Sequence, residues 1–210
     1  MAVNAPIGMT PMIDPTATLR SEHVAIEGLL TVLDAMAKRL AANEPVPRED
    51  LLDAMTVIVE FTDRCHQIKE EDLVFPALSS ASPMAGADMA RRLTNEHRAL
   101  RRLVASMREL LPRASATKTA RAQLGKDLRT YSRLLREHIR IEEETLLPEF
   151  NRTVGATERT RIAREFDRLE REDVGWGLHE AYAAIIHRLR ESYGTLIADS
   201  RSAPVAVTPR

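Results

Sequence analysis

The chain has 210 residues, enough for one domain with a full core and some additional structure. Its apolar (44%) and charged (29%) fractions fit a globular protein, and a formal net charge of −1 excludes a broad electrostatic attraction to nucleic acid or anionic lipid. Aromatic residues make up only 4%, while Ala, Leu and Arg abound, a mix that suits helices and argues against an all-β fold.

Residues 1–16 carry Pro6, Pro11 and Pro15 without apolar period and read as a flexible arm. From there on the apolar residues follow helical spacing. A first helix is predicted over 18–42, with Ile26, Leu29, Leu30, Leu33, Met36, Ala37 and Leu40 as its inner stripe, and Asn43 to Pro47 breaks it. A second begins near Arg48. It carries Leu51, Leu52, Met55, Ile58, Val59 and Thr62 inward, reaches His66 one turn later, and should end or kink at Pro76, whose ring clashes with the carbonyl four residues back. Ser79 to Pro83 reads as a turn. A third helix is predicted over 84–111, stopped by Pro112. A fourth starts near Ala116 and passes through Leu124, Leu128, Tyr131, Leu135, His138 and Glu142 before Pro148.

Similar lengths and short connections make residues 17–152 an expected antiparallel up-down-up-down four-helix bundle in an all-α protein. Residues 153–198 are expected to be an extension of one or two helices, about 157–172 and 178–196, interrupted by Gly175-Trp176-Gly177. Phe166, Leu169, Trp176, Tyr182, Ile185, Ile186 and Leu189 need cover there, so the extension should pack on the bundle, across one end of it. Residues 199–210 read as a flexible tail. Cys65 is the only cysteine, no secretory leader is evident, and no apolar run approaches the ~18 residues of a membrane span. A cytoplasmic protein without membrane or nucleic-acid partners, monomeric or weakly homo-oligomeric, is the expectation.

Two segments repeat. His66-Gln-Ile-Lys-Glu70-Glu71 and His138-Ile-Arg-Ile-Glu142-Glu143 share His-x-x-x-Glu-Glu, each followed by an apolar pair and a proline. Each is preceded by a Glu-His pair, Glu22-His23 or Glu96-His97. On a helix, positions i and i+4 share a face with Cβ atoms roughly 5–6 Å apart, so one imidazole and one carboxylate can reach the same cation. Burying four imidazoles and two carboxylates without partners costs several kcal/mol, and a pair of cations satisfies them all. His23, His66, Glu70, His97, His138 and Glu142 are therefore candidate metal ligands. Imidazole with carboxylate suits iron, manganese or zinc. The lack of thiolate ligands argues against zinc-finger and iron–sulfur chemistry, and the Glu-x-x-His motif of ferritin-like di-iron bundles is absent.

This order, His, His-x-x-x-Glu, His, His-x-x-x-Glu, one element per helix over about residues 18–150, resembles the hemerythrin-like family of histidine/histidine/glutamate cation-binding domains. The resemblance implies two non-haem iron ions with an oxo or hydroxo bridge. His23, His66, His97 and His138 would be terminal ligands, and Glu70 and Glu142 bridging carboxylates. Oxygen-carrying members place a fifth histidine four residues after the third-helix histidine, where this chain has Arg101. The more symmetric, more open site suits reaction with O2, peroxide or NO better than reversible oxygen transport. That points to an oxidative-stress or redox role, with catalase- or peroxidase-like turnover as one form. The alternative is non-enzymatic binding, storage or sensing of iron or oxygen.

Several neighbours stay open at this level. Glu27 is either an ion-pair partner of Arg101, or simply exposed, or a seventh ligand. Glu71 and Glu143 either orient histidines or are solvated. Tyr131 either packs the core or brings its hydroxyl near the irons, and Cys65 reads as a buried inert thiol. His179 either packs or caps the metal pocket, and His187 belongs to the same helix.

Overall fold

Asp14 and Pro15 start the first helix earlier than the apolar pattern predicts. The Asp14 carboxylate accepts from the Thr16 backbone N–H at 3.0 Å, and Pro15 takes the first turn, where its missing N–H costs nothing. The computed structural model describes residues 14–171 and 178–194, so most of the expected arm, the Gly175-Trp176-Gly177 break and the expected tail lie outside the described residues. Among the described residues the fold is an all-α bundle of six helices without strands. They are α1 (Pro15–Ala41), α2 (residues 48–81), α3 (Ala85–Ala114), α4 (residues 118–153), α5 (Ala156–Leu169) and α6 (Leu178–Ser192).

Three prolines leave their helices unbroken. α2 does not end at Pro76 but runs on to Ala81, and α4 continues past Pro148 to Thr153. In both, a π-helical turn, Glu70–Val74 or Glu142–Leu146, precedes the proline. The N–H of Phe75 reaches back five residues to the carbonyl of Glu70, and that of Leu147 to the carbonyl of Glu142. The wider turn takes the carbonyl ladder out of register with the proline ring, so the helix survives a residue that lacks an N–H. Pro112 lies inside α3, which extends to Ala114, close enough to the end that few ladder bonds are lost. α1 closes on Asn43, whose φ of 60° is the left-handed turn that ends many helices.

Residue numbers rise along α1 as they fall along α4: Arg20 meets Glu143, Glu27 and Asp34 meet Arg136, and Asn43 meets Arg121. α3 and α4 do the same, through Glu96 with His138 and Ser106 with Asp127. Two apolar clusters fill the bundle. One contains Ile26, Ile58, Leu100 and Leu135, the other Leu19, Val74, Leu93 and Leu146. Each of the four long helices passes from one cluster to the other, and the buried polar side chains lie at that crossing. Of the predicted inward residues of α2, Leu52 is exposed, one position off the face of the buried Leu51, Met55 and Ile58, and Val59 is half-buried, within the π-helical stretch Val57–Gln67 whose wider turn departs from ideal spacing.

α6 does not lie across an end. It runs lengthwise beside α1 and α2, with His179 near Cys65, Tyr182 tilted on Phe61, and Tyr193 donating to Asp50 at 3.0 Å. Gly28 permits this approach, since a Cβ there would lie 3.3 Å from Ile186 Cγ2. α5 buries Ile162, Ala163 and Phe166 against the second cluster.

Candidate metal centre

Helical spacing carries His66 and Glu70 to one face of α2, and His138 and Glu142 to one face of α4, while α1 and α3 present His23 and His97 opposite them. All six side chains are buried. They form two donor sets that share both carboxylates: His23, His66, Glu70 and Glu142, and Glu70, His97, His138 and Glu142. Glu70 turns one oxygen to His66 Nε2 (3.6 Å) and the other to His97 Nε2 (3.4 Å). Glu142 does the same with His138 Nε2 (2.8 Å) and His23 Nε2 (3.3 Å).

The outward ring nitrogens explain the orientation. His66 Nδ1 lies 2.8 Å from Glu22, His97 Nδ1 2.6 Å from Glu71, His138 Nδ1 2.9 Å from Glu96 and His23 Nδ1 2.7 Å from Glu143. The pattern closes on itself: α1 holds the histidine of α2, α2 that of α3, α3 that of α4, and α4 that of α1. An Nδ1–H donating to each carboxylate leaves every Nε2 lone pair aimed inward, the tautomer a metal ligand needs. Behind each carboxylate stands a cation: Lys69 on Glu22, Arg101 on Glu71, Arg92 on Glu96, Arg20 on Glu143.

Most of the inward atoms lack hydrogen-bond partners. His23 Nε2, His66 Nε2 and all four oxygens of Glu70 and Glu142 make no hydrogen bond, and the Nε2 atoms of His97 and His138 face each other at 2.8 Å. Buried lone pairs converging in this way need positive charge between them. Protons meet part of that need in the metal-free protein. Burial would lower the His23 and His138 pKa values, but the Glu142 carboxylate raises them to about 9 and about 10, and Glu70 likewise raises that of His97. Against the burial that would raise it, Glu142 is held well below the usual carboxylate range by His138 and His23. Divalent or trivalent cations fit the same donor set, with oxygen and imidazole ligands of the kind iron takes.

Glu27 pairs with Arg136 at 3.2 Å rather than with Arg101, and stands outside both donor sets. Arg101 instead bridges Asp63 (2.6 Å) and Glu71 (2.8 Å), so it backs the carboxylate that orients His97. Tyr131 is buried in the first apolar cluster, and burial pushes its hydroxyl pKa up. His179 Nε2 lies 3.0 Å from Cys65 Sγ, at the edge of a third donor group with Glu22, where the Lys69 ammonium already supplies a cation to Glu22. Burial pushes the Cys65 thiol up to about 12. His187 is exposed beside Glu191. Glu22 and Glu96 escaped the sequence reading, although each stands in a repeated Glu-His pair. The buried Lys69 escaped it too, and nothing in the sequence marked it.

The fold and donor set define a helical-bundle cation-binding protein. The family model of the hemerythrin HHE cation binding domain matches residues 14–150, and the chain belongs to that family. Among curated proteins it is similar to uncharacterized proteins of Mycobacterium tuberculosis and Mycobacterium bovis, each 26% identical over 166 residues, or 79% of this chain. The match spans 64% of the length of those relatives. No solved structure matches the chain. Among the described residues, no helix is long and apolar enough to cross a membrane.

Proposed function

We propose that the chain is a non-haem di-iron protein that reacts with O2, peroxide or NO in a redox or oxidative-stress role. One observation carries this reading: two buried donor sets share Glu70 and Glu142, and His23 Nε2, His66 Nε2 and the oxygens of both glutamates make no hydrogen bond there. His23, His66, His97 and His138 would supply nitrogen ligands, and the two glutamates would each offer one oxygen to either set. Two irons so held supply redox equivalents and Lewis acidity to a small oxidant.

The chain's own residues do the rest. The four outer carboxylates fix the imidazoles in one tautomer, and the two apolar clusters exclude bulk water from both ends of the site. A cleft beside Glu71, Phe75, Ala90 and Thr94 reaches the Phe75 ring, which stacks on His97 with centroids 5.7 Å apart. A small oxidant approaching from that side meets the His97 half first. Arg101, standing where oxygen carriers have a fifth histidine, leaves that half without an extra imidazole and favours turnover over carriage.

The test is peroxide consumption by the iron-loaded chain. Many peroxide molecules consumed per chain, with loss of the activity in Glu70→Ala, is the expected result. Consumption that stops at one or two equivalents favours a store or sensor instead.

A further inference from the structure

Among the described residues, Lys69 is the most deeply buried charge outside the six inward residues, fully inaccessible between Glu22 and the ring of Phe166. Its ammonium donates to Glu22 Oε1 and, at 2.6 Å, to Glu170 Oε1. Glu22 in turn holds His66 Nδ1 through its other oxygen. An unbroken chain therefore runs from Glu170, the residue after α5, through Lys69 and Glu22 to one imidazole of the metal centre.

Among the described residues, the other half has no chain that leaves the bundle: that of His97 runs through Glu71 and Arg101 to Asp63 of α2. Lys69 immediately precedes Glu70, and the residue immediately before Glu142 is Ile141, which belongs to the second apolar cluster. Glu96, the counterpart of Glu22, is backed by Arg92 from its own helix, a side chain 60% exposed to solvent. The remaining two outer carboxylates are backed by Arg20 and Arg101, both of them partly exposed bundle residues. Among the described residues, Glu22 is the one outer carboxylate that takes its cation from the interior, and Lys69 the one such cation with a second counter-charge from beyond the bundle. A buried ammonium needs both carboxylates, because losing one leaves an uncompensated charge that pulls harder on the other. Phe166 of α5 covers the pair from the same side.

Given the two-metal reading above, on which this rests, we propose that Lys69 and Glu170 are positioning residues for the His66 half of the centre. That half, unlike the His138 half, is completed by the C-terminal extension. The family repeat builds two matching donor sets, and this chain makes them unequal.

Cobalt(II) titration of the metal-free full chain tests this, read by the visible ligand-field bands and by competition with a chelator. The unaltered chain should take two cobalt ions. Lys69→Met and Glu170→Ala should each weaken one of the two bindings about 10–100-fold and shift its band, leaving the other in place. The double variant should be no worse than Lys69→Met. Arg92→Gln should perturb the opposite half. Glu170 is partly exposed, so Glu170→Ala keeps the fold if Lys69→Met does not, with circular dichroism as the check. Two bindings within twofold of the unaltered chain in folded Glu170→Ala, or an equal weakening of both, overturns the proposal while leaving the two-metal reading intact. An unaltered chain that takes neither cobalt nor iron overturns both.

Discussion

The histidines are held from outside by Glu22, Glu71, Glu96 and Glu143, and this makes the carboxylates separable from the ligands. Glu71→Gln keeps the volume but lets the amide offer its N–H to His97 Nδ1, which disfavours the needed tautomer. Iron affinity should fall about 10–100-fold with the helix content unchanged, measured by chelator competition and circular dichroism. The titrations give a second prediction with a definite sign. His23 and His138 are raised in the metal-free fold to about 9 and about 10 from an ordinary value of 6.5. Their contribution to stability is complete below pH 6.5 and is lost as pH rises through 9 to 10. Glu22 and Glu71, lowered to about 2, contribute above pH 4.5 and lose that contribution as pH falls toward 2. Urea midpoints of the metal-free protein should therefore decline from pH 7 to pH 10, while iron uptake, which displaces these protons, should strengthen over the same range. A midpoint that climbs toward pH 10 without metal contradicts the protonated-site account.

At the scale of elements, the apolar period located the helices because Ile26, Leu29, Leu33, Ile58 and Leu135 repeat at helical spacing and are buried. The ends were less legible. Pro76 read as an end or a kink, and the fourth helix was traced only up to Pro148, since a proline's effect is judged against an α-helical ladder; the π-helical turns that absorb both depend on tertiary packing. The inward residues were legible because i and i+4 spacing fixes a face within one helix. The outer ring was not, because each of its carboxylates serves a histidine on a different helix, which no spacing encodes. Lys69 was hidden for a related reason: on an amphipathic helix a lysine reads as exposed, and its burial follows from Glu22 and Glu170 arriving from elsewhere. The α2–α3 turn gives this scale its prediction. A Cβ at Gly86 would lie 2.6 Å from the Leu78 carbonyl oxygen, so the backbones must separate. Gly86→Ala should cost about 1–3 kcal/mol, seen as a lowered melting temperature of the metal-free chain. An unchanged melting temperature contradicts the close approach.

For the molecule as a whole, the two apolar clusters hold four helices around a plane of charge that apolar packing alone leaves unsatisfied. The helices beyond the bundle reach the same plane from the α1–α2 side, while the cleft at Phe75 meets it from the α2–α3 side. The bundle thus presents one covered and one accessible flank to a shared pair of carboxylates. Metal binding should couple these parts, because cations between them satisfy the four imidazoles together with Glu70 and Glu142 more fully than protons do. The most direct test is an anomalous-scattering map from crystals of the iron-loaded chain, with data at the iron absorption edge. The account predicts two iron peaks, one within ligand distance of His23 and His66, the other of His97 and His138, and both within reach of Glu70 and Glu142. A single peak, or two peaks that share neither carboxylate, would contradict it.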